Sequence, residues 1–112
     1  MPLSITARED GPALVFELIG VLDTLTVEQL EPLVQGAIDD GRRLIVFDLG
    51  ALTFVSSAGL RVFLHAYRQL QGKGRLRLAA PRPEVRQVFN ITGLTARLDL
   101  YPTLAEALAA DG

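Results

Sequence analysis

Arg43-Leu44-Ile45-Val46-Phe47-Asp48-Leu49, continued by Gly50-Ala51-Leu52-Thr53-Phe54-Val55 and Ser56-Ser57-Ala58-Gly59-Leu60, is the stretch whose reading decides the fold. The apolar residues of Arg43 to Leu49 run on instead of alternating, which is the pattern of a strand buried on both faces and central in a sheet. From about Ser57 to Gln71 the pattern changes to helical spacing, with Leu60, Phe63, Leu64, Tyr67 and Leu70 as an inward stripe and Arg61, Arg68 and Gln69 facing water. Gly72-Lys73-Gly74 ends that helix. The junction places a serine hydroxyl at a helix start. The first N–H groups of a helix have no partner within it, so a serine there caps them, and a phosphate there would meet oriented donors and the favourable end of the dipole.

The same reading extends to both sides. Leu3 to Arg8 alternates with period two, Glu9-Asp10-Gly11-Pro12 is turn chemistry, and Ala13 to Ile19 is rich in strand formers, which together predict a β-hairpin. Leu30, Leu33, Val34, Ala37 and Ile38 recur at helical spacing, with Asp23, Thr24 or Thr26 as the cap and Gly41 as the stop. Pro32 removes a donor from this helix, which predicts either a kink or a regular helix that starts nearer Glu31. Downstream, the pattern predicts a strand at Leu76–Ala79 and a short helix opened by Pro81-Arg82-Pro83 with Val85, Val88 and Phe89 inward. A strand at Arg97–Leu100 follows, then a last helix from Thr103, where Thr103 and Glu106 fit a capping box.

The order β-β-α-β-α-β-α-β-α predicts an α/β fold over residues 1–112: a mixed, mainly parallel sheet with an N-terminal hairpin and about four helices packed against it. Right-handed crossovers bring the ends of the second, third and fourth strands to one rim, where ligands and partners of such sheets sit. Three loops meet there, Gly20–Thr24, Gly50–Ser57 and Ala80–Pro83, so Asp23 is expected near Ser57.

Composition narrows the function. The chain has 112 residues, 49% hydrophobic and 21% charged, a formal charge of −2, one histidine and no cysteine. At this length roughly two thirds of the unfolded surface is buried on folding, enough for one sizeable core. No clustered basic face favours nucleic acid, no apolar run reaches the roughly 18 residues of a membrane span, and disulfides or a thiolate zinc site are excluded. No metal or cofactor is expected, and the absence of a signal-peptide pattern at Met1–Ile5 points to a cytoplasmic setting.

The run L-I-V-F-D-L-G-A-L-T-F-V-S-S-A-G-L-R-V-F-L resembles the signature of STAS domains of the anti-sigma factor antagonist type, and the likeness extends over nearly the whole chain. The resemblance implies a non-enzymatic regulator that binds an anti-sigma factor with serine kinase activity while unphosphorylated and is released when a serine at the start of the second helix is phosphorylated. The resemblance also implies a phosphatase that resets it. Aligned on Gly59-Leu60, that serine falls on Ser57; the residue before it is often Asp in relatives and is Ser56 here, a variant also common among relatives reading S-S-A-G-L-R, which makes Ser56 the second choice of acceptor. The implied docking surface comprises Asp23, Thr24, Ser56, Ser57, Ala58, Gly59 and Arg61. The alternative is a constitutive STAS subunit of a lipid-transport ATPase or a sensory assembly, in which Ser57 is a cap only.

Blander roles stand beside these. Without the resemblance, Ser57 reads as a plain cap, Asp23 as a helix cap or loop acid, Asp48 as a backbone cap at a strand end, and Gly59 and Ala58 as small residues for close packing. His65 is eight residues from Ser57, about 12 Å along a helix, and cannot act as its base.

Overall fold

In the computed structural model, which describes residues 2–110, the elements follow the expected order. They are β1 (Leu3–Asp10), β2 (Ala13–Leu22), α1 (Val27–Asp39), β3 (Leu44–Val55), α2 (Ser57–Leu70), β4 (Arg75–Ala79), α3 (Pro83–Ile91), a 3₁₀ turn (Leu94–Ala96), β5 (Asp99–Tyr101) and α4 (Leu104–Ala109). The strands lie side by side in chain order, β1 antiparallel to β2 and the others parallel. Met1, Asp111 and Gly112, the ends of the domain read from sequence, lie outside the described residues.

Alternation along the strands sorts the core into two layers. Phe16, Leu18, Ile45, Phe47, Leu76 and Leu78 face α1, α2 and α3, while Ala13, Val15, Val46 and Ala79 face α4. Four phenylalanines tie the thick layer together. Phe16 stacks on Phe47 at 5.6 Å, Phe47 meets Phe63 edge-on at 4.9 Å, and Phe63 lies 6.0 Å from Phe89, so β2, β3, α2 and α3 share one aromatic spine. This spine fixes the position of α2 on the sheet.

Several boundaries differ from the sequence reading. β3 does not stop at Leu49 but continues through Gly50 to Val55. It does so with two extra residues relative to β2, one between the pairs Glu17↔Asp48 and Ile19↔Ala51, the other between Gly20↔Leu52 and Val21↔Phe54. Such bulges break the period-two pattern that reveals a strand. At the first, the Asp48 carboxylate accepts from the Gly50 N–H at 3.1 Å; at the second, the Thr53 hydroxyl donates to the Gly20 carbonyl at 3.0 Å. Asp48 therefore caps backbone inside the strand, at a bulge, instead of at its end. The second bulge leaves Phe54 51% exposed while Leu52 and Val55 are buried.

α1 begins at Val27 and contains Pro32, so the regular helix does not wait for Glu31. Pro32 and Glu28 are both exposed, so the missing Pro32 N–H, which would otherwise reach the carbonyl four residues back, falls on the outer side of the helix. Leu33, expected inward, is 48% exposed. On α2 the buried set is Gly59, Leu60, Val62, Phe63, Ala66 and Leu70, because the helix packs against both the sheet and α1; Leu64 is only half-buried. Gln69, expected in water, is half-buried and exchanges two hydrogen bonds with Gln35 of α1, at 2.8 and 2.9 Å. The last strand is Asp99–Tyr101, later than Arg97–Leu100, since a 3₁₀ turn occupies Leu94–Ala96.

Candidate functional site

The rim at the ends of β2, β3 and β4 is built from three short connections, each with its own hydrogen-bond logic. After β2, Asp23 and Thr26 cap each other. The Asp23 carboxylate accepts from the N–H groups of Leu25 and Thr26, both at 3.0 Å, while the Thr26 hydroxyl accepts from the Asp23 N–H at 2.8 Å. The same hydroxyl donates to the Val21 carbonyl at 2.8 Å, which satisfies the buried Thr26. The Val27 N–H bonds the Asp23 carbonyl at 3.0 Å, so among the three caps open from sequence Asp23 opens the first helical turn in physical terms. Hydrogen bonds to the charged form, the one from the Thr26 N–H first, hold the Asp23 carboxyl below its ordinary value of 3.8.

After β3, Ser56 occupies the N-cap of α2, with extended backbone and a side chain that accepts from the Gly59 N–H at 3.4 Å. This corrects the assignment of the cap to Ser57. Ser57 is instead the first residue of the helix; it is exposed, and among the described residues its hydroxyl has no hydrogen-bond partner. The two adjacent serines are thus divided by geometry: one is engaged with the helix end, the other presents its oxygen to solvent. The Ser56 N–H donates to the Leu22 carbonyl at 2.9 Å, which joins the residue before Ser57 to the residue before Asp23 and sets the two loops side by side.

After β4, Ala80 turns the chain with a φ of 56°, a left-handed conformation that costs a residue with a Cβ, and its N–H is held by the Tyr101 carbonyl at 2.9 Å. Arg82 pairs with Glu84 at 3.4 Å across the start of α3. The Glu84 carboxyl is lowered, first by its own backbone N–H and then by Arg82.

The rim residues expected from sequence fall into two groups. Thr24, Ser57 and Arg61 are exposed and Asp23, Ser56 and Ala58 are half-buried, all around the α1 and α2 starts. Gly59 is buried, and a Cβ there would lie 2.8 Å from both Leu22 Cγ and Val55 Cγ2, so its lack of a side chain is a packing requirement. Sequence reasoning missed Leu25, which the Asp23–Thr26 turn holds out into solvent at 79% exposure. Leucine followed by threonine and valine at the head of a helix carries no mark that separates a displayed side chain from a core one. Among the described residues no group of three or more His, Cys, Asp or Glu could hold a metal ion, and no helix is long and apolar enough to cross a membrane.

The comparisons with known proteins agree on the fold and the family. The STAS domain family matches residues 4–107. BtrV of Bordetella bronchiseptica, whose name places it among anti-sigma factor antagonists, is 42% identical over 109 residues, 96% of this chain and 91% of BtrV. The solved structure of the anti-sigma factor antagonist SpoIIAA in its unphosphorylated form superposes with a TM-score of 0.80 at 30% identity, covering 94% of this chain and 93% of SpoIIAA. SpoIIAA of Bacillus in the phosphorylated form gives a TM-score of 0.73 at 29% identity, over 94% and 96%. With its hairpin-led five-stranded sheet, its helix arrangement and these matches, the chain belongs to the STAS domain family.

Proposed function

We propose that this protein is an anti-sigma factor antagonist, a non-catalytic regulator whose rim docks on an anti-sigma factor with serine kinase activity and lets go when Ser57 is phosphorylated. The reading is carried by the exposed, unpartnered Ser57 hydroxyl at the first position of α2. It is supported by relatives named as anti-sigma factor antagonists and by the existence of one of them, SpoIIAA, in both unphosphorylated and phosphorylated forms.

Magnitudes explain how so small a change acts as a switch. A phosphoserine adds nearly two negative charges, and a helix start stabilises negative charge by up to roughly 2 kcal/mol, so the domain accepts the group without unfolding. A partner packed over the same spot meets a desolvated dianion instead, a penalty of a few kcal/mol that lowers affinity by orders of magnitude. Ser56 is the poorer acceptor, because its oxygen is half-buried and already engaged by the Gly59 N–H, whereas that of Ser57 is exposed and free.

The test is a labelling experiment. On incubation with ATP and the serine-kinase anti-sigma factor encoded nearest to the gene, mass spectrometry is expected to find one phosphate on the Ser56–Ser57 peptide, assigned to Ser57 and abolished by Ser57→Ala. Phosphate assigned to Ser56, or labelling that survives Ser57→Ala, contradicts the assignment.

A further inference from the structure

Resting on the phosphate switch just proposed, a second question is what holds the phosphate once it is present. Ser57 and Arg61 lie four residues apart on α2, a spacing that stacks two side chains on one helix face with Cβ atoms about 5–6 Å apart. Both are exposed, the first turn of α2 contains no acid, and among the described residues the Arg61 guanidinium has neither a hydrogen bond nor an ion pair. An anion N-terminal to a cation at this spacing is the favoured order, since each then sits toward the matching end of the dipole. The neighbouring serine lacks such a partner, because the residue four beyond Ser56 is Leu60, which is buried in the core.

We propose that a phosphate on Ser57 is gripped by Arg61 of the same helix, so that α2 carries both the modification site and its counter-ion. The planar guanidinium fork matches two phosphate oxygens, and the pair needs only rotamer changes of two exposed side chains. The surrounding charges favour that direction. From the β2–α1 turn, Asp23 presents a carboxylate that repels the phosphate; from the α3 start, Arg82 is engaged with Glu84. Glu31 of α1 borders, together with Ala58, Arg61 and His65, a concavity of about 320 Å³, but forms no ion pair with Arg61. Arg61 is therefore the basic side chain one turn from Ser57 that is unoccupied and on the correct face, and the dianion is drawn along α2, away from Asp23.

The experiment uses the full chain with phosphoserine incorporated at position 57 during synthesis, and follows the phosphate by ³¹P NMR across its second ionisation. The midpoint is expected to rise by about 0.2–0.4 pH unit in Arg61→Gln, roughly a 1.5- to 2.5-fold change in the proton dissociation constant, and to stay near the wild-type value in Arg61→Lys. Arg68→Gln is expected to leave it in place, because Arg68 lies about 16 Å further along the helix axis. Coincident midpoints in wild type and Arg61→Gln overturn the proposal, as does an equal displacement by Arg68→Gln, which reports only the general field. Since no kinase is involved, a failed clamp beside intact kinase labelling removes this inference alone. An intact clamp without kinase labelling removes the switch reading alone.

Discussion

Ser56 and Ser57 are adjacent, identical in type and opposite in environment, and their environments predict opposite responses to the same substitution. Ser56→Ala removes the cap on the Gly59 N–H and is expected to cost about 1 kcal/mol in urea denaturation, whereas Ser57→Ala, at an exposed hydroxyl without partners, is expected to stay within about 0.5 kcal/mol of wild type. Equal effects at the two positions would show that the cap is wrongly placed. Gly59→Ala is a sharper probe of the same helix start. Its new methyl meets Leu22 and Val55 at 2.8 Å in a buried site, an overpacking cost of about 1–3 kcal/mol, against a helix-propensity gain of at most about 1 kcal/mol. A net loss is expected. Asp23, like Glu84, contributes pH dependence to the rim: a carboxylate with a depressed folded value contributes stability above its unfolded value and loses it as pH falls through the folded one. An NMR titration is expected to give an Asp23 midpoint below 3.8, returning no acid-limb contribution in Asp23→Asn. A midpoint at or above 3.8 contradicts the capping geometry. At this scale a serine pair at the helix start was legible but its division into cap and exposed hydroxyl was not, because two serines in a row differ only in backbone angle, which neither side chain dictates.

Among the elements, α4 is the one whose attachment is least expected from sequence. It is six residues long and covers the face opposite the other helices, over Ala13, Val15, Val46 and Ala79. Beneath it lies Arg77, 3% exposed, which donates to the Ala107 carbonyl at 2.9 Å while its Nε has no partner. The bond serves a carbonyl near the end of α4, where helix carbonyls lack internal partners and a cation is favoured. A buried cation with incomplete pairing is nevertheless costly, and apolar replacement of matching volume is often neutral or stabilising. Arg77→Met is therefore expected to match or exceed wild-type stability, and Arg77→Ala to fall below it by about 2 kcal/mol or more through the void left behind. A large loss in Arg77→Met would assign the charge itself a structural role. The order of strands and α-helices was legible, since long apolar runs and capping residues are local signals, whereas the 3₁₀ turn at Leu94–Ala96 was not. Boundaries failed where tertiary partners override the local pattern: the bulges that carry β3 past Gly50, and the α1–α2 contact that draws Gln69 inward and leaves Leu33 out.

For the molecule as a whole, the helices and sheet hold together the three connections of the rim, and the proposed switch acts there by adding one group to a surface the fold already presents. Ser57 is exposed at the first position of α2, away from the core, so a change of charge there leaves the packing beneath it untouched. Ser57→Asp is accordingly expected to shift the thermal midpoint by no more than about 3 °C, as an exposed substitution at a favourable helix position. The rim itself was legible from topology alone, because parallel strands end on the same side whatever their side chains. The display of Leu25 was not, since it follows from a turn closed by Asp23 and Thr26 after the chain has folded.

The most direct measurement is the affinity of the anti-sigma factor for three forms of the chain compared side by side by titration calorimetry: wild type, Ser57→Ala, and the chain with phosphoserine at position 57. Wild type and Ser57→Ala are expected to bind within a few-fold of each other, and the phosphorylated form at least about 100-fold more weakly. Equal affinity of the phosphorylated and unphosphorylated forms would contradict the account.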